Sequence, residues 1–273
     1  MRIGLFLDSS LSTFGGAEKV YSAVVNYFKK KQVNFAFIKV YKTEEKIPPR
    51  DQWVEPYKEN QVWFLENPWQ NQKQLKNSPS ESKVQHHINQ KFLKELDIAI
   101  IVPYKLIIPI QSYLKQLGSN AKIVAWPQNS FSLYLISENR IKHITKQILK
   151  PLIKPLLCKK LFIGAKSTDL ILSISSGISR EIKKYAPNSN IITVYNPVLQ
   201  SNYESITPIE KPSIPIFGYV GRIQDPVKNL RFMFKGLSLL NFKWKLKIIG
   251  TGPDEEMLKE YAKQLKIDDK LTG

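Results

Sequence analysis

The chain has 273 residues, of which 42% are hydrophobic, and it carries 41 lysines and arginines against 23 aspartates and glutamates. This apolar fraction excludes a disordered polyelectrolyte, and the formal net charge of +18 indicates a field that attracts anions. The single cysteine, Cys158, excludes an intramolecular disulfide framework and a multi-cysteine metal site.

The first half of the chain predicts the alternating strands and helices of a parallel sheet. Strands are expected at residues 2–7, 34–40, 97–102, 121–126, 169–174 and 190–194. Helices are expected at about 17–31, at about 106–117 and from about 175 onward. The first strand, its glycine turn, the first helix and the second strand form a βαβ unit. Residues 43–90 are polar and predict only loops and short helices.

The second half predicts a smaller unit of the same kind. Residues 200–215 hold three prolines and predict an interdomain linker. Strands are then expected at 216–221 and 245–249, and helices at about 229–240 and 254–265. A two-stranded parallel sheet leaves its edges and one face uncovered. We therefore expect a first domain over 1–199 and an incomplete second domain over 216–273.

Glycines follow three of the predicted strands, at the edge where ligands bind in open α/β sheets. Gly15 and Gly16 would let backbone N–H groups approach a phosphate at a helix N-terminus, although a tight turn without ligand explains them equally well. Gly250 and Gly252 could admit a phosphate or a ribose. Taken alone, an ordinary turn with Pro253 at the start of a helix explains the second pair better.

Two cations stand six residues apart in the loop after Gly221. Arg222 can hold a phosphate through two parallel hydrogen bonds, and Lys228 can supply a point charge. Composition alone favours the alternative that both are ordinary solvated side chains.

A basic stretch lies near the middle of the chain. Residues 140–166 hold eight cations and no acid, interleaved with isoleucines and leucines. Such a stretch can lie on an anionic membrane surface, and the alternative is the solvated face of a core helix. Because Pro151 and Pro155 interrupt the stretch, one continuous helix is not expected.

The order of the motifs resembles the retaining, nucleotide-sugar-dependent glycosyltransferases of family 4, which have the GT-B fold. The resembling segments are residues 15–20, 174–182, 194–198, 219–223, 228–230 and 246–253. Within that family the chain looks most like the galactosyltransferases that decorate lipopolysaccharide cores. The resemblance implies an α/β protein with two Rossmann-like parallel-sheet domains, the first binding the acceptor and the second binding the donor.

The resemblance also implies roles for single residues. Arg222 and Lys228 would be catalytic, because they would neutralise the leaving diphosphate. The substrate-binding residues would be Gly15, Gly16, Gln128, Asn129, Gly221, Gly250 and Gly252. Many relatives carry a histidine where this chain has Gln128 and Asn129. The glutamate pair with which the family contacts donor sugar and ribose is not present, so we expect the front part of a longer enzyme, inactive alone.

The resulting function is transfer of a hexose from a UDP-sugar to a saccharide or lipid-linked saccharide acceptor in cell-surface polysaccharide synthesis. No metal or cofactor is expected besides the donor, which is a substrate. A cytoplasmic location at the inner face of the plasma membrane is expected, since no secretory signal and no run of 18 apolar residues is visible.

One alternative is a non-catalytic subunit or remnant that binds nucleotide-sugar or acceptor, with a separate C-terminal half as partner. The other is a basic nucleic-acid-binding protein, although no nucleic-acid motif supports it and no nucleic acid is expected as a partner.

Overall fold

The computed structural model describes residues 1–12, 15–41, 45–66, 90–128, 163–197 and 212–272. The chain divides into two compact units, Met1–Ser201 and Asn202–Gly273. Each unit is built on a parallel sheet, so the predicted α/β class with two parallel-sheet units is confirmed. Most of the predicted linker, and most of the basic stretch at 140–166, lie outside the described residues. Among the residues described, no helix has both the length and the apolar character needed to cross a bilayer.

The first unit contains a sheet of seven parallel strands. They are β1 (Arg2–Leu7), β2 (Asn34–Tyr41), β3 (Val62–Glu66), β4 (Ile98–Ile101), β5 (Lys122–Ala125), β6 (Leu170–Ser173) and β7 (Ile191–Thr193). Their order across the sheet is β3-β2-β1-β4-β5-β6-β7. The strand order therefore reverses between β1 and β4. In open α/β sheets, ligands bind outside the carboxyl ends of the strands at such a reversal.

Helices cover both faces of this sheet. They are α1 (Gly16–Lys30), α2 (Gln90–Lys94), α3 (Ile107–Gln116) and α4 (Ser176–Tyr185). The buried face of α1, with Val20 and Val25, packs in one apolar cluster with Leu5. The buried residues of α3 and α4 join a second cluster with Phe6. Because neighbouring strand residues point to opposite faces, β1 contributes to both clusters.

One strand of the first unit differs from the sequence-based expectation. The prediction of only loops and short helices at 43–90 is wrong at β3, which pairs with β2 so that Val62 lies opposite Phe37. Phe64 of β3 is buried against Trp53, with ring centroids 5.7 Å apart. This strand is short and is flanked by polar residues, so its own hydrophobic pattern does not predict it. It forms because it pairs with the edge of β2 that would otherwise be unpaired.

The second unit contains three parallel strands, in the order β10-β9-β8. They are β8 (Ile216–Val220), β9 (Lys245–Ile249) and β10 (Leu271–Thr272), accompanied by the helices α5 (Asp225–Lys228), α6 (Leu230–Ser238) and α7 (Glu255–Gln264). Leu246 of β9, Phe234 of α6 and Leu258 of α7 share one core. On the other face of the sheet, Val220 is 77% exposed.

One expectation for the second unit needs correction. The sheet has a third strand, β10, whose two residues are too few to show a periodicity in the sequence. The helix expected at about 229–240 is present as α6 (Leu230–Ser238), and Asn229, in a left-handed conformation (φ 53°), separates it from the additional short helix α5. Asparagine is one of the residues that tolerate this conformation.

Candidate functional site

The reversal of strand order in the first unit is bridged by an ion pair. Asp8 follows β1 and Lys105 lies in the loop after β4, and the Lys105 Nζ is 2.8 Å from the Asp8 Oδ2. Both side chains are about a third exposed (35% each). The pair therefore ties together the two loops that border the crevice.

A buried lysine fixes the backbone just after β1. Lys39 lies opposite Leu7 in the sheet and is only 2% exposed. Its Nζ donates to the Asp8 carbonyl oxygen at 2.8 Å and lies 2.7 Å from the Glu45 Oε1. Burial of this charge is tolerated because an acid and a carbonyl both face it. Sequence reasoning missed Lys39, although one lysine within the apolar strand Phe35–Tyr41 is a recognisable signal.

A tyrosine–glutamate contact holds the start of α1. The fully buried Tyr57 donates its hydroxyl hydrogen to the Glu18 Oε1 at 3.4 Å, and the Ser9 Oγ lies 3.3 Å from the same hydroxyl. Burial raises the pKa of Tyr57, and nearby Glu18 raises it further. The hydroxyl therefore stays protonated, and it connects the loop after β1 with the first turn of α1.

The N-cap residue of α1 provides no side-chain cap. Gly15 is the N-cap residue in an extended conformation and has no side chain to accept from the first N–H groups. Gly16 is exposed, and no described atom comes within 4 Å of a Cβ built on it. Packing among the described residues thus does not explain this glycine. The uncapped N–H groups of a helix N-terminus can bind an anion.

Gln128 lies three residues past β5, at the same edge of the sheet. Its side-chain Oε1 accepts a hydrogen bond from the Asn196 Nδ2 at 3.2 Å, although the two residues are 68 positions apart. Asn196 follows β7, and the prediction assigned no side-chain contact to it. Asn129, the other predicted residue of this loop, lies outside the described residues.

In the second unit the loops after β8 and β9 pack backbone against backbone. The Gly221 N–H donates to the Ile249 carbonyl at 3.0 Å, and the Ile223 N–H donates to the Thr251 carbonyl at 2.9 Å. The Asp225 N–H donates to the Asp254 Oδ2 at 2.8 Å. The structure thus brings Gly221, Arg222, Gly250 and Gly252 together in adjacent loops.

The packing of these loops accounts for two glycines directly. A Cβ on Gly250 would lie 1.9 Å from the Gly221 carbonyl oxygen, and one on Gly252 would lie 2.0 Å from the Ile223 carbonyl oxygen. Gly250 also has a φ of 147°, a conformation that favours glycine. These glycines are needed for the fold of the loops, whether or not a phosphate or ribose binds there.

The two cations predicted to be catalytic are exposed, and neither has a side-chain hydrogen bond or ion pair within the described part of the chain. Arg222 follows Gly221, and Lys228 is the last residue of α5. Both lie in the connection that follows the carboxyl end of β8. Their charges are therefore available to an anion outside this edge of the sheet.

The N-terminus of α6 is already occupied by a carboxylate. Asp225 is buried and accepts from the Arg231 backbone N–H at 2.7 Å and from the Arg231 Nε at 2.6 Å. Burial by itself would raise the pKa of Asp225, but the hydrogen bonds from Arg231 and its positive charge outweigh this and lower it. Since this carboxylate fills the helix N-terminus, an anion near the loop depends on side chains for positive charge.

Comparison with known proteins gives relatives along the whole chain, although no family model matches it. The lipopolysaccharide 1,6-galactosyltransferase of Escherichia coli K12 is 25% identical over 282 residues, covering 98% of this chain and 65% of the relative. The enzyme of the same name from Salmonella typhimurium is also 25% identical, covering 97% of this chain and 65% of the relative. The chain thus spans 65% of the length of these curated relatives.

Solved structures share the fold. The lipopolysaccharide outer core galactosyltransferase WaaB in its apo form has a TM-score of 0.66 and 23% identity, covering 100% of this chain and 67% of that one. Anabaena Alr3699/HepE in complex with UDP-glucose has a TM-score of 0.60 and 11% identity, with 100% and 68% coverage. The resemblance predicted from the motifs is confirmed: the chain is similar to lipopolysaccharide 1,6-galactosyltransferases and has the GT-B fold.

Proposed function

We propose that this protein is a glycosyltransferase that moves a hexose from a UDP-sugar to a saccharide or lipid-linked saccharide acceptor in lipopolysaccharide core synthesis. The curated relatives named as galactosyltransferases support the reaction and the pathway. The UDP-glucose complex of a structural neighbour supports a UDP-sugar as donor.

The observation that carries the donor assignment is a pair of cations at the carboxyl edge of the second sheet, neither of which has a side-chain partner among the residues that the structure describes. A nucleoside diphosphate gains negative charge as it leaves the sugar, and preorganised positive charge stabilises that change. Arg222 and Lys228 are placed to supply it, since the acid nearest to them in sequence, Asp225, is already bonded to Arg231. We assign Gly221, Gly250 and Gly252 to the floor of the same nucleotide site.

The first unit fits the acceptor side of the reaction. Its uncapped α1 N-terminus, with Gly15 and Gly16, and the amide of Gln128 lie in loops at one edge of the sheet. We further propose a peripheral position on the cytoplasmic face of an anionic membrane, with residues 140–166 as the contact. That segment is supported by its composition, eight cations and no acid, and it lies almost entirely outside the described residues.

Binding of UDP to the 273-residue chain, measured by isothermal titration calorimetry, tests the donor assignment. Arg222→Ala and Lys228→Ala should each weaken UDP binding by about tenfold, because hydrogen bonds to charged groups contribute roughly 1.5–3 kcal/mol. Lys235→Ala is the matched control, since Lys235 is an exposed cation in the last turn of α6. Binding is measured rather than turnover because the chain spans 65% of its curated relatives.

Two results would contradict the proposal. One is UDP affinity that is the same in the wild-type protein and in both variants. The other is tight, salt-dependent binding of a DNA duplex that UDP does not displace, which would favour the nucleic-acid-binding alternative.

A further inference from the structure

The helix α6 carries apolar side chains on two opposite sides. Leu230, Phe234 and Leu237 are buried in the core of the second unit. On the opposite side of the helix, Phe232 is 72% exposed, and Leu239, the C-cap residue, is 77% exposed. A surface helix ordinarily presents charged and polar residues to water. Because the outer apolar side chains contribute little to the packing of the described residues, they indicate a surface that contacts something else.

The outer side chains of this helix lie in one row. Phe232 and Leu239 are seven residues apart, which is two helical turns or about 10 Å along the axis. Lys235 and Gly236 lie between them, and both are exposed. A Cβ built on Gly236 meets no described atom within 4 Å, so the row is open along its length. We call these four residues the α6 surface.

The charge around the α6 surface has a single sign. Residues 226–253 hold six lysines and arginines and no acid. Lys235 belongs to the surface itself, and the exposed Lys243 follows Phe242, which is 47% exposed. The neighbouring helix α7 is different, because its exposed lysines pair with glutamates of the same helix. The outer side of α7 is thus an ordinary solvated one, whereas the α6 surface favours an anionic partner.

Apolar side chains beside cations fit an anionic lipid surface. Phenylalanine and leucine enter the boundary between headgroups and acyl chains, while lysines reach the lipid phosphates. A nucleic acid or a free anion would leave Phe232 and Leu239 in water. A second copy of the chain, docked through the same surface, would bring Lys235 close to the like charges of its partner.

We propose that the α6 surface binds an anionic membrane. The inference rests on the peripheral position proposed above, which residues 140–166 of the first unit support, and it adds a contact in the second unit. Phe232 and Leu239 can both enter the bilayer only if the axis of α6 lies parallel to the membrane surface. Because α6 begins two residues after Lys228, this contact keeps the proposed donor site beside the lipid.

Co-sedimentation of the 273-residue chain with lipid vesicles tests the proposal. The wild type should bind vesicles of equal parts phosphatidylglycerol and phosphatidylcholine more tightly than vesicles of phosphatidylcholine alone. Phe232→Ser and Leu239→Ser should each weaken binding to the anionic vesicles by about tenfold. Lys235→Ala should weaken it by about fivefold. Met257→Ser is the matched control and should bind as the wild type does, because Met257 is a 40% exposed apolar residue among the glutamates of α7.

The proposal is overturned if the wild type binds both kinds of vesicle equally or not at all. It is also overturned if the α6 variants, with wild-type melting temperatures, bind anionic vesicles normally while Lys150→Gln/Lys154→Gln does not, since the contact then lies in residues 140–166. Loss of self-association in the α6 variants, measured by analytical ultracentrifugation with vesicle binding unchanged, would make a second copy the partner instead. Failure of the wild type to bind UDP counts against the proposed donor site alone and leaves the vesicle result intact.

Discussion

Gly16 offers a test in which stability and binding are expected to move in opposite directions. It is the first residue of α1, it is exposed, and a Cβ built on it meets no described atom within 4 Å. Glycine costs roughly 0.4–1 kcal/mol of stability relative to alanine where alanine fits the native backbone conformation, because the unfolded chain has more freedom to lose. Nothing in the packing of the described residues justifies that cost, whereas close approach of a ligand to the helix N-terminus would.

The expected result of Gly16→Ala is therefore a more stable protein that binds its ligand less well. A gain of about 0.4–1 kcal/mol corresponds to a rise in melting temperature of roughly 1–4 °C for a unit of this size. The added methyl group occupies the space in front of the first N–H groups of the helix, so binding of a lipopolysaccharide-core oligosaccharide as acceptor should weaken by about tenfold or more. Differential scanning calorimetry measures the first effect, and isothermal titration measures the second.

Gly236→Ala is the control for this experiment. Gly236 lies in α6, is exposed, and likewise has no described atom within 4 Å of a Cβ built on it, so it receives the same chemical change in the second unit. It should gain stability without losing affinity. A Gly16→Ala protein that is stabilised and binds normally would show that this glycine only begins a helix. A lower melting temperature would refute the packing argument itself.

Three further substitutions test the loops and the buried charges. Gly250→Ala should destabilise the second unit by about 2–4 kcal/mol in a urea melt, because the added methyl group separates two hydrogen-bonded loops. Gly218→Ala is the control and should change the stability little, because a Cβ built on Gly218 meets no described atom within 4 Å. The pKa of Asp225 is lower in the folded protein than in the unfolded chain, so the ionised carboxylate stabilises the fold at neutral pH. This stabilisation is lost as the pH falls below the unfolded pKa of about 3.9. The melting temperature of Asp225→Asn should therefore fall less in acid than that of the wild type. Lys39→Met should cost about 2 kcal/mol of unfolding free energy by calorimetry and leave UDP affinity unchanged, because it releases the loop after β1 only.

Much of the fold could be predicted because its strands carry their own pattern. The apolar run of β1, the glycine turn and the amphipathic α1 together indicate a βαβ unit before any contact is known. Two strands could not be found in this way. Val62–Glu66 forms β3 against the edge of β2, and Leu271–Thr272 forms β10 against β9. Both depend on a neighbour supplied by another part of the chain.

The sequence points to the glycines and cations of the candidate site but not to its contacts. It predicts Gly250 and Gly252 in a loop near a nucleotide, and the structure adds a steric reason for both glycines, the carbonyl groups of the adjacent loop. The contact of Gln128 with Asn196 joins residues 68 positions apart and exists only because β5 and β7 flank β6. Spacing along the chain carries no information about such a pair.

The net charge of +18 favours anionic ligands in general but does not identify the site. Exposed cations in the second unit are numerous, and several are neutralised locally: Lys259 pairs with Glu255 and Glu256, and Lys263 pairs with Glu260. What sets Arg222 and Lys228 apart is their place after the carboxyl end of β8 together with the lack of an acidic partner among the described residues.

This distinction has a measurable consequence in salt. A general field from a charge of +18 is screened over about 8 Å at physiological ionic strength, so its contribution to UDP binding fades as salt is added. A direct contact between the Arg222 guanidinium and a diphosphate is screened much less. The fold difference in UDP affinity between the wild type and Arg222→Ala should therefore persist when salt is raised, even as both affinities fall. If the difference disappears, Arg222 contributes only to the general field, and the diphosphate lies elsewhere.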